Sequence, residues 1–410
     1  MVATDNTEIT IDTISSESLP AILIGGPPKA GKSVLTYNLT RALRSKKIPH
    51  YVFRASPDGE GDWSFEGDLD TVRELHIKSK HDWSEIFREI ACHDLPHRQL
   101  PLIVDLGGRP TEEDTCIFQT CQKAILLFEK KDGLEKDFHT WHSYIERNNL
   151  ELIAEIRSQR SGDSAHTSQG PGSEGSMTTL KPGDLRYNIE FGALVERIIE
   201  IFSRYTSEQL EQWHLSQVPS KSVVNLPKQL STLAPENDDD AWRPKMLKPL
   251  LASLSEQAAF SVYGRGPAWL YGALALHAGT RPFQQFDARI GWVTPPSLQA
   301  AATAEQATSS ILSIERPFVS DDTHAIALYP TYNYLDFRVS DQLMFPEPLP
   351  HRGVIVSGKL PLWLFTALAR FYVQRNVPWI ALNDARDNRP VVTYSQVDSH
   401  PIGKILPKLV

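Results

Sequence analysis

The chain has few of the residues that staple a protein, anchor it or charge it for a special environment. Its 410 residues include three cysteines, Cys92, Cys116 and Cys121. That is too few for a disulfide framework, and their spacing is not that of a zinc site, so buried thiols in a reducing cytoplasm are expected. No apolar run approaches the ~20 residues that cross a bilayer. Met1–Glu17 is polar and acidic, without the basic and apolar regions of a signal peptide. A basic excess is missing too: 42 Lys and Arg face 50 Asp and Glu, for a net charge of −8. This argues against a general nucleic-acid-binding surface and against direct DNA binding. The expectation is a soluble cytoplasmic protein with no membrane partner. The 41% hydrophobic and 22% charged content is that of an ordinary globular protein, and the length suits two or three domains.

What is present begins with Gly26-Pro27-Pro28-Lys29-Ala30-Gly31-Lys32-Ser33, a complete G-x-x-x-x-G-K-S sequence. Ala21–Ile24 before it reads as a buried strand, and Val34, Leu35, Leu39, Ala42 and Leu43 follow at helical spacing. Strand, loop and helix are the context a phosphate loop requires. The glycines let successive backbone N–H groups curl around a phosphate, and the helix start adds its positive dipole end. Gly26, Gly31, Lys32, Ser33 and Val34 are the expected nucleotide contacts. Lys32 would reach the β- and γ-phosphates of ATP, which makes it catalytic as well, and the Ser33 hydroxyl would hold Mg²⁺. The bland alternative is a glycine-rich turn with no nucleotide.

Residues 20–205 alternate short apolar runs with amphipathic stretches, the pattern of βαβ units around a parallel sheet. Leu102-Ile103-Val104-Asp105 is a strand ending in a carboxylate, suited to orienting the Mg²⁺ water shell; an Asp capping the next turn is the alternative. Asp58-Gly59-Glu60-Gly61-Asp62-Trp63 follows the second candidate strand, where a doubly wound sheet places its ligands. Its carboxylates could bind metal or accept a proton, with Glu60 preferred as base and Asp58 beside it, or they form a solvated acidic turn. Arg157 and Arg160 flank the start of a Ser/Gly-rich stretch, 158–179, that reads as a mobile loop or lid closing on phosphates, or as a solvated linker with incidental charge. His139 and His142, three apart on a helix with no carboxylate partner in view, read as surface or packing residues. Residues 206–221 read as a connector, and Pro235–Asp240 as a further linker-like patch.

The C-terminal half repeats itself. Gly264-Arg265-Gly266-Pro267-Ala268-Trp269-Leu270-Tyr271-Gly272-Ala273-Leu274-Ala275 matches Gly358-Lys359-Leu360-Pro361-Leu362-Trp363-Leu364-Phe365-Thr366-Ala367-Leu368-Ala369 at seven of twelve positions. Each copy follows a strand-like run and precedes Asp-Ala-Arg, at Asp287-Ala288-Arg289 and Asp384-Ala385-Arg386. Two amphipathic helices alike by chance would not share both the Gly-basic-x-Pro turn and the downstream tripeptide, so a duplicated domain is expected. In each copy Gly permits a tight turn, and Pro suits the first helical turn. Arg265 or Lys359 beside the unpaired N–H groups of the helix start would make an anion site. Two such units suggest a pseudo-twofold pair facing a symmetric phosphodiester ligand. Structural turns with surface ion pairs are the alternative.

Val356-Ser357-Gly358-Lys359-Leu360-Pro361-Leu362-Trp363-Leu364 with Ala381-Leu382-Asn383-Asp384-Ala385-Arg386 resembles the Csx-three family of type III CRISPR ring nucleases. Gly264–Leu270 with Phe286–Arg289 resembles it as well. The resemblance implies binding of cyclic tetra-adenylate between subunits, leaving room for a homo-oligomer, and in active members its metal-assisted linearisation, for which Mn²⁺ is a candidate cofactor. It implies ligand contacts at Gly264, Arg265, Trp269, Arg289, Ser357, Gly358, Lys359, Trp363 and Arg386, and catalytic carboxylates at Asp287 and Asp384. Gly26–Ser33, Arg54-Ala55 with Asp58–Trp63, and Val104–Gly108 are similar to the AAA-type P-loop domain fused to some members, although here the order of the parts is reversed and the ring-nuclease unit doubled. The family places a His after the Trp-containing helix; only His277 is close, and the second copy has none nearby. Asp-Pro-Arg-Leu-Gly has become Asp-Ala-Arg-Ile-Gly in one copy and Asp-Ala-Arg-Asp-Asn in the other.

The expected architecture is therefore α/β: a P-loop NTPase or kinase-like domain with a parallel sheet over 20–205 behind a flexible 1–19, a linker at 206–221, then Csx-three-like repeats over 222–308 and 309–410. The expected function is an NTPase or kinase-like domain coupled to a tandem cyclic-oligoadenylate-binding module. An active ring nuclease using Asp287 or Asp384 with His277 is an alternative, and a small-molecule kinase with an oligomerisation module is another.

Overall fold

Ala21–Gly25 (β1) is five consecutive buried residues, a pattern that suits the middle of a sheet covered on both faces. The computed structural model places it there. It describes residues 13–28, 30–55, 85–129, 135–159, 173–178, 189–236, 241–255, 258–303, 306–307, 311–317, 319–330 and 335–409. The chain forms two units: the first holds the described residues up to Gln217 together with 288–290, and the second holds the remainder from Val218.

In the first unit β1 is joined by β2 (Tyr51–Ala55), β3 (Leu102–Leu106), β4 (Lys123–Glu129), β5 (Glu151–Gln159) and β6 (Ser173–Thr178). The order is β2-β3-β1-β4-β5-β6, and every pairing is parallel. Helices α1 (Lys32–Ser45), α2 (Glu85–Asp94), α3 (Thr115–Thr120), α4 (Glu135–Arg147), α5 (Ile189–Phe202) and α6 (Ser207–Ser216) accompany the sheet. Leu35, Leu39 and Leu43 of α1 and Val195, Ile198 and Phe202 of α5 share one core with Ile22 and Ile24 of β1. The chain leaves β1 toward one edge of the sheet and later crosses to the other, so the strand order reverses beside β1. In open α/β sheets that reversal opens a crevice at the carboxyl ends of the strands.

Three expectations change here. The 206–221 connector contains α6, capped by Thr206, whose hydroxyl accepts from the Gln209 N–H at 3.2 Å. Leu210 and Trp213 pack with Ile14, Leu19 and Tyr205, a long-range partnership that local composition does not reveal. Part of the 158–179 stretch is β6, paired to β5; Arg160 lies outside the described residues. Cys92 and Cys116 are joined as a disulfide with Cα atoms 5.6 Å apart, because α2 and α3 lie side by side; Cys121 remains a buried thiol, its pKa pushed up to about 12 by burial.

Among the described residues the second unit contains two larger sheets and one two-stranded sheet. In the first, β7 (Val223–Asn225), β8 (Phe260–Tyr263), β9 (Phe283–Asp287) and β10 (Gly291–Val293) run in the order β10-β9-β8-β7. In the second, β12 (Leu312–Glu315), β13 (Thr323–Pro330), β15 (Gly353–Gly358), β16 (Trp379–Asp384) and β17 (Arg389–Ser395) run β12-β13-β15-β16-β17. The pair β11 (Gln299–Ala301) and β14 (Met344–Pro346) joins the two halves, so the chain does not divide cleanly near residue 308. β7, β8 and β9 are parallel with β10 antiparallel, and β13, β15, β16 and β17 repeat that arrangement. The repeated sequence motif is thus a repeated topology. Helices α7 (Leu226–Leu233) and α8 (Leu247–Ser253) precede β8, α9 (Ala268–His277) links β8 to β9, and α10 (Leu362–Val373) links β15 to β16.

Trp269 through Ala275 are buried without interruption. A helix that is apolar all round needs partners on every side, and α9 finds them in α10, β16 and β17, while α10 reaches β9. Arg370 of α10 closes the far end of α9: its guanidinium donates to the Ala275 carbonyl at 3.3 Å and the Arg281 carbonyl at 3.3 Å. Arg370 thus satisfies carbonyls that a helix terminus leaves orphaned. Among the described residues no helix is long and apolar enough to cross a membrane.

Candidate functional site

At the carboxyl end of β1, the Gly26–Gly31 turn enters α1 at the point where the strand order reverses. Gly26 has φ 142°, and a Cβ there would lie 2.0 Å from the Leu127 carbonyl oxygen of β4, so only glycine fits. Gly31, at φ 98°, is the N-cap of α1, with no side-chain cap on the helix end. Lys32 is buried, and its ammonium donates to the Gly26 carbonyl at 2.7 Å and the Pro27 carbonyl at 3.0 Å. Burial lowers its pKa, with Asp105 opposing.

Asp105 is the residue that β3 brings to this turn. It sits in register between Ile24 of β1 and Arg54 of β2, and is 3% exposed. Burial raises its pKa, while the positive charges of Arg54 and Lys32 and the nearby Ser33 and Thr36 hydroxyls pull the other way. A buried carboxylate beside a helix-start hydroxyl fits a hydrated divalent cation, which would take Ser33 as a ligand and Asp105 through water. Arg54 enters only through the resemblance at Arg54-Ala55 and has no role of its own in the sequence; its signal is a basic residue inside the otherwise apolar Tyr-Val-Phe-Arg-Ala strand. Asp58 and Glu60 lie outside the described residues. Among the described residues no group of three His, Cys, Asp or Glu side chains could hold a metal by itself.

Further along the sheet, the expectation for His142 changes. Glu155 of β5, 5% exposed, lies 3.0 Å from His142 Nε2, and Arg157 donates to the same carboxylate at 2.9 Å. The Arg157 guanidinium also lies over the Phe138 ring at 5.1 Å. The thirteen-residue separation of His142 and Glu155 hid the pair from helix spacing.

In the second unit the two Gly-basic turns share one geometry. Gly264 has φ 109° and Gly358 φ 116°. Pro267 and Pro361 are N-caps, one position before the first helical turn where they were expected, with ψ 158° and 149°. The extended ψ leaves each proline carbonyl free to start the helix: Pro267 accepts from Leu270 at 3.0 Å and Tyr271 at 3.3 Å, Pro361 from Leu364 at 3.0 Å and Phe365 at 3.3 Å. Because β8 and β9 are parallel, and likewise β15 and β16, Asp287 and Asp384 lie on the same rim as the turns.

The two rims differ in chemistry. Trp269 Nε1 donates across the repeats to Asp384 Oδ2 at 2.8 Å. The same carboxylate accepts the Arg386 backbone N–H at 3.0 Å and pairs with its guanidinium at 3.2 Å, and Arg386 also donates to the Trp242 carbonyl at 2.9 Å. Asp384 is 6% exposed and committed to these donors, so it holds the repeats together. Trp363 Nε1 is buried and has no hydrogen-bond partner among the described residues, and its ring meets Phe337 edge-on at 5.2 Å. Both indoles are core residues and present no open stacking face. Arg289 lies in the segment that belongs with the first unit and pairs with Asp94 at 3.2 Å. His277 stands eight residues beyond Trp269 on α9, about 12 Å along the helix axis, too far to act together with the carboxylate that Trp269 binds. Arg265 is exposed, Lys359 half-buried and Ser357 buried.

The class is thus clear from architecture: a chain with a parallel α/β unit followed by a unit of two similar mixed sheets. One comparison adds a family. The family model described as CRISPR-associated protein (Cas_csx3) matches residues 331–407, and this C-terminal stretch is a CRISPR-associated Csx-three-like domain. The match spans β14 to β17, including Gly358, Lys359, Trp363, Asp384 and Arg386. No curated protein matches the chain.

Proposed function

We propose that this is a CRISPR-associated protein in which a P-loop NTPase or kinase-like unit, using ATP and Mg²⁺, is coupled to a tandem Csx-three-like module that binds a cyclic oligoadenylate. The observation that carries the nucleotide half is buried Lys32, folded onto the Gly26 and Pro27 carbonyls, with buried Asp105 in register beside the end of β1 at the switch point of the sheet. The motif 26–33 and the left-handed Gly26 and Gly31 support it further. Lys32 would exchange its two carbonyl partners for β- and γ-phosphate oxygens. The Ser33 hydroxyl would hold the cation, with Asp105 orienting its water shell.

The cyclic-nucleotide half rests on the family match over 331–407 and on the shared topology of the preceding sheet. Arg265 and Lys359, beside the unpaired N–H groups at the starts of α9 and α10, would bind phosphodiester groups. The committed Asp384 and the separation of His277 from it favour holding the ligand over opening it. Any coupling between ATP and the cyclic ligand must be reciprocal in binding free energy. Calorimetric titration with cyclic tetra-adenylate, with and without ATP and Mg²⁺, tests the reading. R265A together with K359A should abolish cyclic-ligand binding and leave ATP binding intact, and K32A should do the reverse. A protein that binds ATP but no cyclic oligoadenylate would sink the second half.

A further inference from the structure

A pocket of about 400 Å³ lies in the second unit at the amino-terminal ends of β13 and β15, the sheet edge opposite the Gly358 turn. Arg316, His324 and Arg352 supply its polar wall, and Ala301, Pro346 and Leu349 much of its apolar one. The guanidinium groups of Arg316 and Arg352 have no hydrogen bond or ion pair among the described residues. His324 is 6% exposed. Its Nδ1 accepts the Leu349 backbone N–H at 3.4 Å, which leaves the proton on Nε2 as a donor with no partner among the described residues. Glu347, the one acidic lining residue, is held by Arg375 at 3.1 Å. Two guanidiniums and an imidazole N–H without partners among the described residues, and with no free carboxylate among the described lining residues, make an anion site; the forks match phosphate oxygens bidentately.

The volume falls in the range of small-ligand pockets and exceeds what one phosphate fills. The rest of the wall discriminates among organic phosphates. The Thr323 hydroxyl is engaged with Asp322 and Ser320, and the remaining surface is mostly methyl groups and proline rings, which would leave the hydroxyls of a sugar phosphate unpaired. A flat base would cover that apolar surface. We propose that this pocket binds a nucleoside monophosphate, its phosphate on Arg316 and Arg352 and its base against Ala301, Pro346 and Leu349. Neither the 26–33 turn nor the Gly-basic turns take part.

Phosphorus NMR and calorimetry on the full chain carrying K32A, which disables the proposed ATP site, test this with AMP, inorganic phosphate and adenosine as separate probes. AMP should bind, inorganic phosphate at least tenfold more weakly, and adenosine not detectably. R316Q with R352Q should weaken AMP about a hundredfold, and R316K with R352K, which keeps the charge but loses the fork, about tenfold. If the glutamine pair fails to fold, as judged by circular dichroism, the lysine pair decides. No AMP binding, phosphate binding as tight as AMP, or AMP affinity unchanged in the folded variants would each overturn the proposal.

Discussion

The two β-turn-helix-β segments of the second unit share one backbone pattern and differ where they meet. Both keep a left-handed glycine, a proline N-cap and the same pair of carbonyl bonds into the helix. Yet the indole of the first repeat donates to a carboxylate of the second, while the indole of the second has no such partner among the described residues. Tyr271 of the first repeat donates its hydroxyl to the Gly264 carbonyl, and the matching Phe365 has no hydroxyl to give. Backbone geometry is held by local sterics that every copy must satisfy. Polar contacts between the two segments can be kept on one side only, provided the other side stays dry and packed.

The largest contrast should come from the turn glycines. A Cβ at Gly358 would sit 2.0 Å from the Leu328 backbone carbonyl oxygen, whereas at Gly264 it would meet the Pro227 ring at 2.4 Å. Both substitutions carry the left-handed penalty, but the strand carbonyl cannot move without tearing β13 from β15, and the ring at the start of α7 can yield. G358A should cost at least ~3 kcal/mol and G264A clearly less, by urea denaturation; equal losses would mean the turns are equivalent after all.

The indoles come next. W269F removes a donor from buried Asp384, at about 1.5–3 kcal/mol for a hydrogen bond to a charged group. W363F removes an N–H that is already unsatisfied, which offsets part of the lost packing. The loss in W269F should exceed that in W363F by about 1 kcal/mol, and a W269F/D384N double-mutant cycle should return a coupling of ~1–3 kcal/mol. Near-zero coupling would dissolve the cross-repeat anchor. Y271F should then cost about 1 kcal/mol, the usual worth of one buried hydrogen bond; an unchanged denaturation midpoint would remove this element of the contrast.

The smallest effect is a pH effect. His324 is the second residue of β13, where the matching register position of the first repeat is Ser222. Burial, then Arg316 and Arg352, hold the His324 pKa below the usual 6.5. A depressed histidine favours the fold fully above about pH 6.5 and loses that contribution as pH falls toward its folded pKa, because the unfolded chain takes up the proton first. Between pH 7 and 5, amide exchange in Ala325–Leu328 should therefore accelerate relative to Val223–Asn225 once intrinsic rates are divided out; parallel behaviour in the two strands would break the assignment.

Much of this was legible in the chain itself. Ala21–Ile24 and Leu102–Val104 read as buried strands because consecutive apolar residues bounded by turns fit a doubly covered sheet. The repeat was readable as letters, since Gly, Pro and Trp at fixed spacing are rare. Asp105 announced itself at the end of its strand. The His142–Glu155 pair, the disulfide, helix α6 and the commitment of Asp384 were hidden, each for the same reason: the partners are brought together by packing, and sequence distance carries no record of it.

By itself the sequence determined the local conformations: a left-handed turn at Gly26, two proline-started helices, and apolar strands that must be covered. Backbone sterics and hydrophobic burial act on each residue wherever it is placed, so these are written into residue type. Only the tertiary structure decided which polar groups are spent and which are left over. Asp384 is consumed by Trp269 and Arg386, whereas Arg316 and Arg352 pair with no carboxylate among the described residues. A hydrogen bond needs its two atoms within about 3 Å, and only the folded chain sets that distance.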